Sequence, residues 1–202
     1  MNISLYLERN MMLVDKGKMK QGAEMLITGM GLNLADPNLV DTPDRIVRAW
    51  MEMNSGLFEQ HKIPSLFTSV FPSTYDQMVL CSNIHVVGMC PHHFMPVEYT
   101  IHIGYIPNEE GMVVGISKLA RLATILAMRP VLQEQLTEDI ANELEKYLSP
   151  LGIGVVAIGK HSCMRLRGAR ADNSFITTSV IKGVLREKMD ARTEFLELLK
   201  RE

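Results

Sequence analysis

Two short stretches hold residues whose types and spacing can do chemistry. CPHH places Cys90, His92 and His93 within four positions, and HSC holds His161 and Cys163. Cys90 and His93 form a C-x-x-H pair, which is half of a zinc site, but a structural site needs a second close pair and the chain has none. If Cys163 meets them in space, the ion has three protein ligands and one open position. That count marks a catalytic site, where the metal makes water nucleophilic near neutral pH. His92 and His161 then stand beside the metal, and imidazoles titrate in the range that suits proton transfer. The same residues also fit a metal-free reading, with the cysteines packed as small apolar groups and the histidines satisfied by backbone. Cys81 and His85 read as strand residues, and His61 and His102 have no partner in sequence.

A second constellation addresses an anion. GISKLAR puts Ser117 at a helix start, with Lys118 and Arg121 in the first turn. Free N–H groups and the positive end of a helix favour phosphate there, and cations three apart can reach one ligand. Arg165, Arg167 and Arg170 add charge beside Cys163, and Arg45 and Arg48 share one face of an earlier helix. From spacing alone, a solvated basic surface is the better reading of Lys118 by itself and of the Arg45–Arg48 pair. In QEQLT, Glu134 begins a helix, where its charge favours the N-terminus; it can also pair with the donor groups of a base.

The elements that must position these groups follow from periodicity. Residues 3–32 read as helical, and LVDTPDRIVRAWMEMNSG as a clearer helix with Thr42 at the N-cap and Pro43 in the first turn. QMVLCSNIHVVGM is β-rich. VEYTIHIGYI alternates, setting Val97, Tyr99, Ile101, Ile103 and Tyr105 against Glu98, Thr100, His102 and Gly104. Two helices follow, one capped by Ser117 with a stripe of Leu119, Leu122, Ala123 and Leu126, the other after Pro130 with Leu136, Ile140, Leu144 and Leu148. IGVVAIG and SFITTSVIKGVLR read as strands, and the tail EKMDARTEFLELLKRE as a surface helix. This order predicts an α+β domain whose antiparallel sheet carries helices on one face, at residues 66–202, preceded by a helical region at 1–65.

Composition narrows the classes. The chain has 202 residues, 47% hydrophobic and 22% charged, with net charge −2, an ordinary globular balance with no basic excess for nucleic acid. Glu, Asp and Lys interrupt the apolar pattern of its first 20 residues, which fits neither a signal peptide nor a membrane span. Three cysteines do not make a disulfide framework, so a cytoplasmic protein with reduced thiols is expected.

Taken in order, DTPDR, CPHHFMP, GISKLAR, QEQLT and HSCMRLRG resemble the motifs of the GTP cyclohydrolase I family, over about residues 20–187. The resemblance implies a tunnelling fold, with four antiparallel strands, two helices between the second and third, and an N-terminal helical part. It implies zinc on Cys90, His93 and Cys163, with His92 and His161 in acid–base roles. Glu134, with Gln133 beside it, would hold the guanine ring. Ser117, Lys118, Arg121 and Arg167 would meet the triphosphate and ribose, with Arg45 and Arg48 reaching the phosphates. The implied reaction opens the imidazole ring of GTP, releases formate and gives 7,8-dihydroneopterin triphosphate. The implied assembly is a homodecamer of two stacked pentamers with sites at subunit interfaces. One departure stands out: the family usually has Glu where this chain has Pro91, which removes a carboxylate and one N–H. A second is AMRPVLQEQ, where Pro130 is expected to break the helices sharply. Within the same fold group the rival is a nitrile reductase of the queuosine pathway, which has no need of a Cys/His/Cys set. A degenerate binding homologue is disfavoured because every expected ligand is present.

Overall fold

The computed structural model describes residues 14–68 and 70–200, so residues 3–13 of the expected N-terminal helix lie outside the described residues. Contacts divide the chain into two compact units, ending and beginning at Glu52 and Met53.

The first unit holds helices α1 (Lys16–Gly29) and α2 (Thr42–Met53). Asp15 caps α1 by accepting from the Lys18 N–H at 2.9 Å, which satisfies one of the donors a helix start leaves free. Lys20 bonds Asp44 across the two helices at 2.8 Å. Ala23, Ile27, Pro43 and Val47 are the buried positions of this unit's helices.

The second unit is built on a four-stranded antiparallel sheet in the order β2 (Val79–Cys90), β3 (Met95–Ile106), β5 (Gly152–His161) and β6 (Ile176–Gly183). Strands β1 (Val70–Pro72) and β4 (Met112–Val114) make a separate antiparallel pair. Between β4 and β5 run α3 (Ile116–Ala127) and α4 (Gln133–Leu148). This is the expected α+β topology, four antiparallel strands with two helices between the second and third.

The alternation in β3 works as its sequence demands. Val97, Tyr99, Ile101, Ile103 and Tyr105 are all buried in the main core, with Leu119, Leu122, Leu136, Ile140 and Leu144 of the two helices. Side chains of a strand point alternately to opposite faces, so the helices cover the face these residues share. Short helical turns at Gly56–Glu59 and Ile63–Leu66 pack beside α3. A Cβ on Gly56 would stand 2.1 Å from the Ile125 carbonyl oxygen, so this approach needs glycine.

Two expectations are corrected. Helix α3 starts at Ile116 after Gly115, so Ser117 lies inside the first turn and its side chain caps nothing. The tail forms a helix, α5 (Met189–Leu199), but it is no mere surface helix: Phe195 is fully buried in a second core with Met78, Val156 and Leu185. That core covers the sheet's other face at one end, where His102 is also buried.

Candidate functional site

The sheet's pairing gathers the reactive residues at one end. Antiparallel register sets Cys90, the last residue of β2, against Met95 at the start of β3. It also sets His161, the last residue of β5, against Val97. The four residues Pro91–Phe94 turn β2 into β3, with the Phe94 N–H donating to the Cys90 carbonyl at 3.0 Å. Phe94 closes this turn at φ 52, in the left-handed region a bulky side chain seldom adopts. After His161 a single helical turn, Ser162–Arg165, brings in Cys163.

The loop between α3 and α4 closes on the same end. Proline at position 130 stops the helix, as its ring and missing N–H require. Pro130 forms a β-bridge to Met89, and the Val131 N–H donates to the Met89 carbonyl at 3.2 Å. Arg129 pairs with Asp139. Helix α4 therefore begins beside Cys90, and Gln133 and Glu134 are its first two residues.

Three side chains converge closely enough to share an ion: Cys90, His161 and Cys163 offer ligand atoms within 4.8 Å of one another. The two sulfurs are 3.9 Å apart and both cysteines are free thiols. Burial, reinforced by the hydrogen bond to Cys90 and its charge, raises the Cys163 thiol above its usual range. Two thiols and an imidazole are the soft donor set that suits zinc among the common divalent ions. His93 is not in this cluster: its Nε2 accepts from Arg167 Nη1 at 2.9 Å. His92 Nδ1 lies 4.0 Å from Cys90 Sγ. Both histidines are exposed on the turn.

His161 is half-buried, and burial lowers its pKa, opposed by the charge of Glu134. Its Nε2 meets Gln133 Oε1 at 2.9 Å. Gln133 Nε2 donates to the carbonyls of Ala157 and Ile176, so this amide is committed inside the protein. Glu134 is exposed at the start of α4, and its charge reaches both His161 and Tyr99.

Tyr99 was legible only as a core residue, yet it walls the site. Its ring stands edge-on to His161, with centroids 6.2 Å apart. Glycines on both neighbouring strands make its slot: a Cβ on Gly88 would come within 2.8 Å of the ring and one on Gly159 within 2.9 Å. Glycine inside a strand marks such a close approach, and that was the available signal.

Of the cationic residues, Arg167 reaches the site through His93, while Arg165 bonds the Asp172 carbonyl and carboxylate. Ser117 and Arg121 are exposed on the first turns of α3, with Lys118 half-buried between them. Arg45 and Arg48 are exposed on α2 of the first unit, where Arg45 pairs with Asp41 at 3.3 Å. No helix among the described residues is long and apolar enough to cross a membrane.

The family model for GTP cyclohydrolase I matches residues 19–200. A protein named GTP cyclohydrolase 1 from Aquifex aeolicus is 37% identical over 189 residues, 94% of this chain and 99% of that one. One of the same name from Thermobifida fusca is 36% identical over 186 residues, covering 92% and 89%. Another from Campylobacter concisus is 41% identical over 167 residues, covering 81% and 86%. Among solved structures, an archaeosine synthase QueF-like protein in its apo form aligns over 53% of this chain and 94% of that one, at 16% identity and a TM-score of 0.44. The match spans both units and every motif gathered at this end of the sheet, and the chain belongs to the GTP cyclohydrolase I family.

Proposed function

We propose that this protein hydrolyses the imidazole ring of GTP, releasing formate and forming 7,8-dihydroneopterin triphosphate. The observation that carries the reading is the convergence of Cys90, Cys163 and His161 beside the start of α4, where Glu134 is presented. Cys90 and Cys163 would hold a zinc ion. His93, on the turn between β2 and β3, would be the third ligand, with its ring turned away from Arg167. When bound, the ion supplies a Lewis acid that makes a water nucleophilic near neutral pH.

The chain's own residues supply the rest. Glu134 is a carboxylate at the edge of the cluster, suited to the adjacent N–H donors of guanine. His161, in the cluster with the cysteines, and His92, whose Nδ1 lies 4.0 Å from Cys90 Sγ, would carry protons to and from the ring nitrogens freed by hydrolysis. Ser117, Lys118 and Arg121 offer a helix start and two cations to the triphosphate, with Arg167 beside the ribose and Arg45 and Arg48 for the outer phosphates. Pro91 leaves no carboxylate between Cys90 and His92, so proton traffic there falls to the histidines.

The outer edges of β2 and β6, along which no strand among the described residues lies, fit assembly of several copies into a ring, and a decamer of two pentamers is the form proposed. Three free cysteines fit a reducing cytoplasm. The test is incubation of the purified, zinc-supplied protein with GTP. Formate should appear together with a pterin that fluoresces after oxidation. Protein that binds both zinc and GTP yet releases no formate would sink the reading.

A further inference from the structure

Gln133 is 2% exposed and has every polar atom of its amide engaged. Its Nε2 donates to the Ala157 carbonyl of β5 at 2.9 Å and to the Ile176 carbonyl of β6 at 2.8 Å. An NH2 group facing two carbonyl oxygens cannot be turned over, because the amide oxygen would then oppose both. The network therefore fixes Oε1 as the atom that meets His161 Nε2 at 2.9 Å. An amide oxygen only accepts, so His161 must donate from Nε2.

The surroundings are shaped for this one contact. A Cβ on Gly159 would lie 2.3 Å from Gln133 Oε1, so the strand leaves room for the amide only because that residue is glycine. The Tyr99 ring stands edge-on to the imidazole, with centroids 6.2 Å apart.

We infer that Gln133 is the positioning residue of His161: its committed amide fixes the proton of the neutral ring on Nε2 and leaves Nδ1 as the ring's sole lone pair. The side chain of Gln133 is then unavailable to the base, and recognition of guanine falls to Glu134. The inference deepens the reading above, because it rests on the proton-transfer role given to His161 there. With the Nε2–H held on Gln133 Oε1, the ring keeps a single orientation beside the cysteines.

The test uses the full-length protein labelled with 15N-histidine, at about pH 8.5, well above the usual imidazole pKa. The His161 signals are assigned by their loss in His161→Asn. The expected spectrum shows Nε2 protonated and Nδ1 bare in the wild-type ring, and a mixture of tautomers in Gln133→Met. In steady-state kinetics Gln133→Met should lower kcat for formate release by about 10²-fold or more. KM for GTP should stay within about threefold. Gln133→Glu, which keeps an acceptor oxygen, should recover part of the loss. A wild-type ring protonated on Nδ1 overturns the inference. So does a tenfold or larger rise in KM with kcat retained, since Gln133 would then be reading substrate. If Gln133→Met does not fold, the wild-type spectrum still decides. A wild-type protein with the Nε2 proton but no formate release would leave this lock standing and remove the reaction instead.

Discussion

At the scale of single residues, the two cysteines have different neighbours and one shared role. Cys90 is buried at the end of a strand, and Cys163 is half-buried on a four-residue helical turn. Only the fold brings them within 3.9 Å, across 73 positions of sequence. The C-x-x-H spacing pointed to Cys90 and His93, and in this structure the imidazole beside the sulfurs belongs to His161. A turn side chain such as His93 can change rotamer cheaply, whereas His161 is tied to Gln133, so spacing alone could not rank them. Replacing Cys163 by Ser removes a soft ligand that no other cysteine can supply, since Cys81 lies elsewhere on β2. Bound zinc, measured per chain by elemental analysis after dialysis, should weaken by more than about 10²-fold. The far-ultraviolet circular dichroism should keep its helix and strand signal, because Cys163 is no member of the buried core. Unchanged zinc occupancy would place the metal away from Cys163.

At the scale of elements, most of the strands and both central helices were legible because each obeys one clear period. The five residues of β3 expected on one face are the ones buried under α3 and α4. What the period could not show was the second core. The tail helix carries Phe195 in a sequence otherwise rich in charge, and the opposite face of β3 reads as polar until something covers it. The clue lay in glycines rather than in the tail: Gly104 and Gly154 pair across β3 and β5. A Cβ at Gly104 would come within 2.9 Å of the Phe195 ring, and one at Gly154 within 2.7 Å. The two form a flat floor on which the ring lies. Phe195→Ala should therefore empty a closed site and cost about 3–5 kcal/mol, read as a shift in the denaturant midpoint at unchanged slope. A loss below about 1 kcal/mol would mean that α5 is not anchored through this ring. Zinc binding at the cysteine end of the sheet should match that of the wild type in this variant, since Phe195 belongs to the other core.

At the scale of the whole molecule, the sheet ends in two outer strands. Strand β2 spans Val79–Cys90 and β6 spans Ile176–Gly183, and among the described residues no strand lies along the outer side of either, the single bridge from Pro130 to Met89 apart. Rows of free N–H and C=O groups on strands this long are a template for pairing with another chain. Beside them, Val87 on β2 and Phe175 and Ile176 at the start of β6 are exposed apolar side chains. Burying such groups between copies stabilises association by roughly 25 cal/mol for each Å² removed from water. The two edges run in one sheet and face opposite ways, so if β2 of one copy pairs with β6 of the next, the contact is head to tail, and a head-to-tail contact closes into a ring or runs on as a filament. The decamer proposed above requires closure. Light scattering coupled to size exclusion should therefore return a mass that is a whole multiple, well above one, of the 22.7 kDa chain. Replacing Ile176 by Lys puts a charge at the start of one edge, where a neighbouring strand would have to desolvate it. That variant should shift the population towards smaller species, and its formate release per chain should fall with it if neighbouring copies complete the site. A wild-type chain that runs at 22.7 kDa while still turning over GTP would overturn the ring, and would show that one copy holds all the groups the reaction needs.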